Sequence, residues 1–221
     1  TNKKMKVLNH GYIEVKDYLP KQENVINYIA NIARISNGHF DEIEYSVALE
    51  LVKKMFNSGH SSPFEKVVIL FEVKCPLFIS KQWMRHRTGS YNEISARYTE
   101  VKPEFYIPSE ERYNQFKNDD ICYADFVSTI TTSCEMSYNQ YLNMCRNGVP
   151  KEVSRSILPY GMYTTFYFKM DLHNLFHFLE LRQSSHAQYE IREYAKAIVQ
   201  LLSEQGDDWK DLIDMFIKKI E

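Results

Sequence analysis

The sequence predicts a single α+β domain, and three observations carry that prediction. Two stretches alternate apolar and polar residues with the period of a half-buried strand. Longer stretches repeat apolar residues at helical spacing instead. No internal repeat, low-complexity tract or linker divides the 221 residues, a length that suits one domain with a substantial core.

In chain order, Val7 and Tyr12–Val15 read as short strands around Gly11, a hairpin ended by Pro20. Gln22 to Arg34 is a helix with Val25, Ile26, Ile29, Ile32 and Ala33 at helical spacing. After a turn at Ser36-Asn37-Gly38, a second helix, capped by Asp41 or its neighbour, runs to about Asn57 and is closed by Ser58-Gly59. His60 to Glu65 is a loop. Lys66 to Cys75 is the first alternating stretch: Val67, Ile69, Phe71, Val73 and Cys75 share one face, and Lys66, Glu72 and Lys74 the other. Pro76 opens a short buried helix through Leu77, Phe78, Ile79 and Trp83.

Glu104 to Ile107 reads as another strand and Pro108 to Asp120 as a polar surface connection. Cys122 to Arg146 is a long helix ended by Asn147-Gly148, and Pro150 opens a further helix containing Arg155. Met162 to Met170 is the second alternating stretch. Asp171 is a good N-cap for a helix over Leu172–Gln183. Helices over Ala187–Glu204 and Trp209–Ile220 complete the chain.

Composition excludes several function classes. A net charge of −2 supplies no field that would draw in nucleic acid or an acidic membrane. No apolar run reaches membrane-spanning length. Cys75, Cys122, Cys134 and Cys145 form no Cys-x-x-Cys pair. Thr1–Met5 carries no targeting pattern and reads as a processed or trimmed start. Reduced thiols in a cytoplasmic protein are therefore expected.

Within this neutral chain, positive charge concentrates between Arg85 and Tyr98. Arg85, Arg87 and Arg97 stand there with one acid, Glu93. Gly89 and the Ser/Asn content read as irregular backbone following the buried run from Val67 to Trp83. If the segment is partly buried, its guanidiniums need anions, and the arginine fork suits phosphate. The alternative is a solvated loop pairing with distant acids. Arg155 and Arg182 lie on helices beside apolar stripes, where each calls for a partner: a ligand, or a neighbouring acid such as Glu152 or Glu180.

Other candidates are less directive. His60 and His86 have the right side chain for a general base, although a lone His in apolar surroundings is more often structural. Ser95 lacks the flanking glycines of a nucleophile elbow and reads as a hydrogen-bonding group. His173, His177 and Glu180 share one side of their helix at spacings of four and three. Zinc would need a further ligand and a base, so no metal is assigned. No glycine-rich dinucleotide loop or P-loop occurs, so any nucleotide must be held by side chains and loop backbone.

The order of residues goes beyond charge. Arg85-His86-Arg87, seven residues, then Ser95 resembles the signature of flavin-dependent thymidylate synthases. Further blocks occur in that family's order from about His60 to Leu202: Gly59-His60-Ser61-Ser62-Pro63-Phe64-Glu65, Gln82-Trp83, Ser95-Ala96-Arg97-Tyr98, Glu104-Phe105-Tyr106-Ile107-Pro108, Arg155-Ser156-Ile157-Leu158-Pro159 and Leu179 to Gln188. The resemblance implies a mixed, mainly antiparallel sheet flanked by helices and a homotetramer with shared active sites. It implies reductive methylation of dUMP to dTMP, with methylenetetrahydrofolate as one-carbon donor and NADPH-reduced FAD as hydride source.

Carried over position by position, the resemblance puts Gln82, Arg85, Glu93, Ile94, Ser95, Ala96, Arg97, Arg155 and Arg182 around dUMP. Arg97 and Arg155 would clamp the phosphate, Arg182 would face the uracil ring and Ser95 would orient the nucleotide. His60, Ser62, Glu65, Arg85, His86, Arg87, Asn92 and Glu93 would contact FAD, and His86 would also help position folate. Asp171, His173 and His177 occupy FAD-facing positions where the family often has Asn, Arg and Asn. Ala96 stands where Gly is common. None of the four cysteines falls in the key segment, which fits a reaction without an enzyme thiolate.

Overall fold

The computed structural model describes residues 3–21, 23–39, 41–116 and 120–220. Five strands form one sheet: β1 (Lys4–Val7), β2 (Gly11–Leu19), β3 (Val68–Pro76), β4 (Ser90–Glu93) and β5 (Tyr163–Asp171). Their order is β1-β2-β3-β5-β4, and every neighbouring pair is antiparallel. The helices are α1 (Val25–Arg34), α2 (Tyr45–Ser58), α3 (Leu77–Trp83), α4 (Glu110–Asn114), α5 (Tyr123–Arg146), α6 (Lys151–Ser154), α7 (Leu172–Gln183), α8 (Tyr189–Ser203) and α9 (Asp207–Ile220).

The two alternating stretches are the two central strands, β3 and β5, paired from Val68↔Asp171 to Pro76↔Tyr163. Their apolar residues fall on one face. Ile69, Phe71, Val73 and Cys75 meet Phe166, Phe168 and Met170, all buried in one cluster with the inner sides of α7, α8 and α9. Phe71 and Phe168 lie opposite one another and stack with centroids 5.8 Å apart. The other face is polar: Tyr12 donates to Glu72 at 2.7 Å, and Lys74 pairs with Glu104 at 2.6 Å.

Local chemistry sets the ends that position the site. Asp171 finishes β5, and its side chain accepts from the backbone N–H of Asn174, starting α7 directly from the central strand. Gly59 ends α2 at φ +74°, where a side chain would be strained, and turns the chain into the His60 loop. Gly11 is fixed by close approach instead. A Cβ there would collide with the Tyr194 hydroxyl and stand 2.8 Å from the Lys74 carbonyl, which that hydroxyl bonds at 2.6 Å.

Six expectations change. The segment after α3 is not wholly irregular: Ser90–Glu93 is an edge strand on β5. Its polar sequence hides it because only the outermost strand of a sheet can carry so little apolar surface. Glu104–Ile107 forms a single bridge, Phe105↔Met162, with Pro103 and Pro108 limiting any ladder. Asp41 does not cap α2, which begins after Glu44; it pairs instead with Arg34 at 2.9 Å. The helix from Pro150 stops at Ser154, and Arg155 opens a 3₁₀ turn. The first helix begins at Val25, capped by Asn24, and Gln22 lies outside the described residues. The connection after Pro108 contains α4, while residues 117–119 lie outside the described residues.

Candidate active site

The site is built on the end of α3. Trp83 is fully buried and packs edge-on against Phe166, Phe168 and Tyr194, with Phe178 5.1 Å away. That anchor aims residues 85–89 outward. Gly89 lets the chain return closely over the core, since a Cβ there would lie 2.8 Å from Phe168. Tyr91 locks the loop: its ring stacks on Phe168, and its hydroxyl lies 2.8 Å from the His86 carbonyl and 3.1 Å from the Trp83 carbonyl. Burial pushes the Tyr91 phenol up to about 12, so it stays a neutral donor.

Inside this loop, Arg182 reaches across from α7. Its Nε donates to His86 Nε2 at 2.9 Å and its Nη2 to the Gln82 carbonyl at 3.1 Å. The Gln82 side chain donates to Gln188. His86 sits edge-on to Phe178, centroids 4.6 Å apart. Burial, then the nearby Arg182 and His177, pushes its pKa down to about 4. With Nε2 accepting from Arg182, the ring proton belongs on Nδ1. This geometry departs from the general base suggested by the residue type: near neutrality His86 is a weak base whose one acceptor atom is already in use. It orients the guanidinium.

On one side of this pair lies a cleft of about 450 Å³ between α2, α7 and α9. His60, His173, His177 and Glu180 line it over an aromatic floor that includes Phe56, Phe64 and Phe176. Five of the residues expected around a flavin gather here or beside it: His60, His173 and His177 in the cleft, and Arg87 and His86 on the adjoining loop. Ser62 and Glu65 are exposed on the same loop as His60, with Ser61 rather than Ser62 facing the cleft. Asp171 has a different task. Its two carboxylate oxygens accept from the Asn174 N–H at 3.0 Å and the Asn174 side-chain amide at 2.7 Å, and it does not line the cleft.

β4 carries the chain to the other half. Ser90 lies opposite Lys169 and Glu93 opposite Phe166, a span of roughly 10 Å at strand rise. Asn92 points outward on this strand. Glu93 accepts from Thr164 at 2.7 Å, and the Ile94 N–H donates to the Thr165 carbonyl. Ser95 Oγ accepts from the Arg97 N–H at 3.3 Å, shaping a turn with Ala96 at its centre. Arg97 Nη2 pairs with Glu152 at 3.2 Å, both side chains about half exposed, and Arg155 follows on the same segment. Among the described residues, Arg85, Arg87 and Arg155 have no carboxylate within ion-pair distance. Among the described residues, no hydrogen bond or ion pair joins Arg97 or Arg155 to Arg182.

Chemically, Arg97 and Arg155 can each take an oxyanion, the histidine cleft can take a planar ring, and Arg182 presents one oriented guanidinium beside His86. Sequence reasoning missed Tyr91, Gln188 and Phe178, which shape the loop without bearing charge. The Arg182–His86 bond has no sequence signal, since 96 residues separate the two. His173 and His177 find no group of three or more metal-ligating side chains among the described residues.

Comparison with known proteins identifies the family of the chain. The thymidylate synthase complementing protein family matches residues 14–205. A flavin-dependent thymidylate synthase of Thermotoga neapolitana is 38% identical over 203 residues, covering 91% of this chain and 90% of the relative. One from Thermus thermophilus is 37% identical over 204 residues, covering 90% and 74%. A UMP/dUMP methylase from Streptomyces cacaoi, solved bound with 5-Br dUMP, superposes with a TM-score of 0.81 at 25% identity over 97% of both chains. With identity at this level spread over about nine-tenths of this chain, and the family model matching residues 14–205, the protein belongs to the flavin-dependent thymidylate synthase family.

Proposed function

We propose that this chain makes dTMP from dUMP, taking the one-carbon unit from methylenetetrahydrofolate and, through NADPH-reduced FAD, the hydride that completes the methyl group. The observation that carries the reading is a set of cations with no carboxylate partner among the described residues, Arg85, Arg87 and Arg155, together with the oriented Arg182. Such charges stay unpaired at low cost only where water or a bound anion solvates them. A two-ring reaction supplies the anions.

The residues present fit a flavin. The cleft offers an aromatic floor for a ring system and three imidazoles, none bonded to another side chain among the described residues, that can donate to or accept from its edge. Arg85 and Arg87 on the adjoining loop suit its phosphates. Gln82, Ser95 and Ala96 flank dUMP, and Arg97 and Arg155 take its phosphate. Arg182 faces the uracil, where a cation would stabilise negative charge held on a ring carbonyl, the form of the ring whose C5 is nucleophilic toward the one-carbon unit. His86 keeps that guanidinium aimed.

A homotetramer with shared sites is part of the proposal. α5 is 24 residues long and buries Tyr138 and Tyr141, leaving the rest of its length at least partly exposed. Ile94, Tyr98, Val153, Ile157 and Tyr160 are exposed around Arg97 and Arg155. A neighbouring subunit lying there would cover those apolar groups and complete the phosphate pocket. The test is the purified protein itself. Flavin absorption together with saturable dUMP binding is expected. Colourless protein that binds dUMP and cannot be loaded with FAD would make it a nucleotide-binding protein without this chemistry.

A further inference from the structure

We propose that the last turn of α9 belongs to the cofactor cleft and that Lys219 is the cleft's outer cation, taking an oxyanion, phosphate or carboxylate, of the ligand seated against His60, His173 and His177. The proposal rests on the flavin reading above. The family match ends at residue 205, so α9 carries no assigned role.

Three observations support it. First, α9 is held in place by its own core. Trp209, Leu212, Ile213 and Phe216 are buried, and Phe216 stacks on Phe176 of α7 with centroids 4.7 Å apart and planes within 6°. The helix that carries Lys219 is thus fixed against the helix that carries His173 and His177. Second, Phe216, Lys219 and Ile220 line the same cleft as those histidines. Third, Lys219 lies along the cleft wall at the surface, with no acid paired to it among the described residues. Its ammonium lies 4.4 Å over the Phe56 ring and 3.4 Å from the Phe56 carbonyl. No described carboxylate lies within ion-pair distance, although Lys219 also borders the neighbouring groove with Asp211 and Asp214, and Glu180 lines the cleft. Lys3, Lys53 and Lys196, also on the surface, pair with acids at 2.7 to 2.8 Å. A lysine on an aromatic face at the mouth of a histidine-lined cleft is placed to receive an anion from the ligand.

Two ligands of the proposed reaction carry such a group: the pyrophosphate of FAD and the glutamate carboxylates of the folate. Their contributions separate by titration. Apo-protein is titrated with FAD and followed by flavin fluorescence. FAD-loaded protein is titrated with mono- and triglutamyl methylenetetrahydrofolate and followed by flavin absorbance. We expect Lys219→Ala to weaken one of these ligands about tenfold, Lys219→Glu to weaken it further and Lys219→Arg to bind nearly as wild type. Loss confined to FAD assigns the phosphate; loss confined to folate and growing with glutamate number assigns the carboxylates. Lys219 is exposed, so the variants keep the fold, which thermal melting verifies. If all of them bind both ligands within about twofold of wild type, the proposal is overturned and the flavin reading stands. Wild-type protein that takes up no FAD overturns the flavin reading, and this proposal with it.

Discussion

Arg182 Nε donates to His86 Nε2 across 2.9 Å, and the acceptor is a neutral imidazole. A carboxylate in that place would also orient the guanidinium, but it would cancel the charge. A neutral acceptor fixes direction and leaves the cation available to substrate. His86→Ala is expected to lower kcat by roughly 10- to 100-fold, the cost of misaligning one charge-assisted bond, with a smaller change in the KM for dUMP. His86→Gln, which can still accept, is expected to recover part of the loss. Steady-state kinetics of the two variants check this.

The same pair sets a pH dependence. His86 titrates at 6.5 in the unfolded chain and at about 4 in the folded one. Between those values the unfolded state binds more protons, so His86 lowers stability as the pH falls from 6.5 toward 4 and contributes no further slope below that. Denaturant melts across this window should show a shallower loss for His86→Gln than for wild type. The imidazole signals of His86 should remain those of the neutral ring at pH 5.5 to 6; full protonation there would contradict the assignment.

Arg155 and Arg97 differ in what they must give up. Arg155 has no carboxylate partner among the described residues, whereas Arg97 rests on Glu152 at 3.2 Å. Arg155→Ala is expected to weaken dUMP about 10- to 100-fold, while deoxyuridine, which lacks the phosphate, is affected far less. Glu152→Gln frees Arg97 at little cost to the fold, because exposed pairs of this kind contribute about 0–1 kcal/mol. It should leave dUMP binding unchanged or tighter. Calorimetric titration with both ligands decides the matter.

None of the four cysteines lines the histidine cleft or falls between Arg85 and Arg97. Cys75 is fully buried on the core face of β3, where burial raises its thiol well above the usual range. Cys122 starts α5 and donates to Asp125, and Cys134 and Cys145 lie on the outer helix. Each Cys→Ala replacement is expected to keep turnover within about threefold of wild type. Cys75→Ala should lose about 1–2 kcal/mol of stability to the space it leaves. A single replacement that abolishes chemistry while dUMP still binds would show the reverse.

Much of this architecture was legible because it rests on burial. β3 and β5 declare themselves by alternation, and α7 by Asp171 and its apolar stripe, since each places a face against the core. β4 did not, because an edge strand needs no apolar pattern, and its Tyr91 works through a ring stack and a hydroxyl that spacing does not reveal. The charged residues of the site could be listed from the chain, but not their pairing. Arg182 with His86, and Arg97 with Glu152, are brought together only by the crossing of α7 and α6 past the segment that follows α3. The cleft wall supplied by α9 was legible only as an amphipathic helix; which residues of its outer turn face His173 and His177 depends on the Phe176–Phe216 stack.

The most direct measurement joins Arg182 to the chemistry. FAD-loaded protein is reduced with NADPH without oxygen until the flavin absorption bleaches, then given dUMP and methylenetetrahydrofolate, and dTMP is quantified. Wild type should yield dTMP. Arg182→Ala should bleach equally, keep its fold and yield essentially none. Near wild-type dTMP from Arg182→Ala, or none from reduced wild type, would contradict the account.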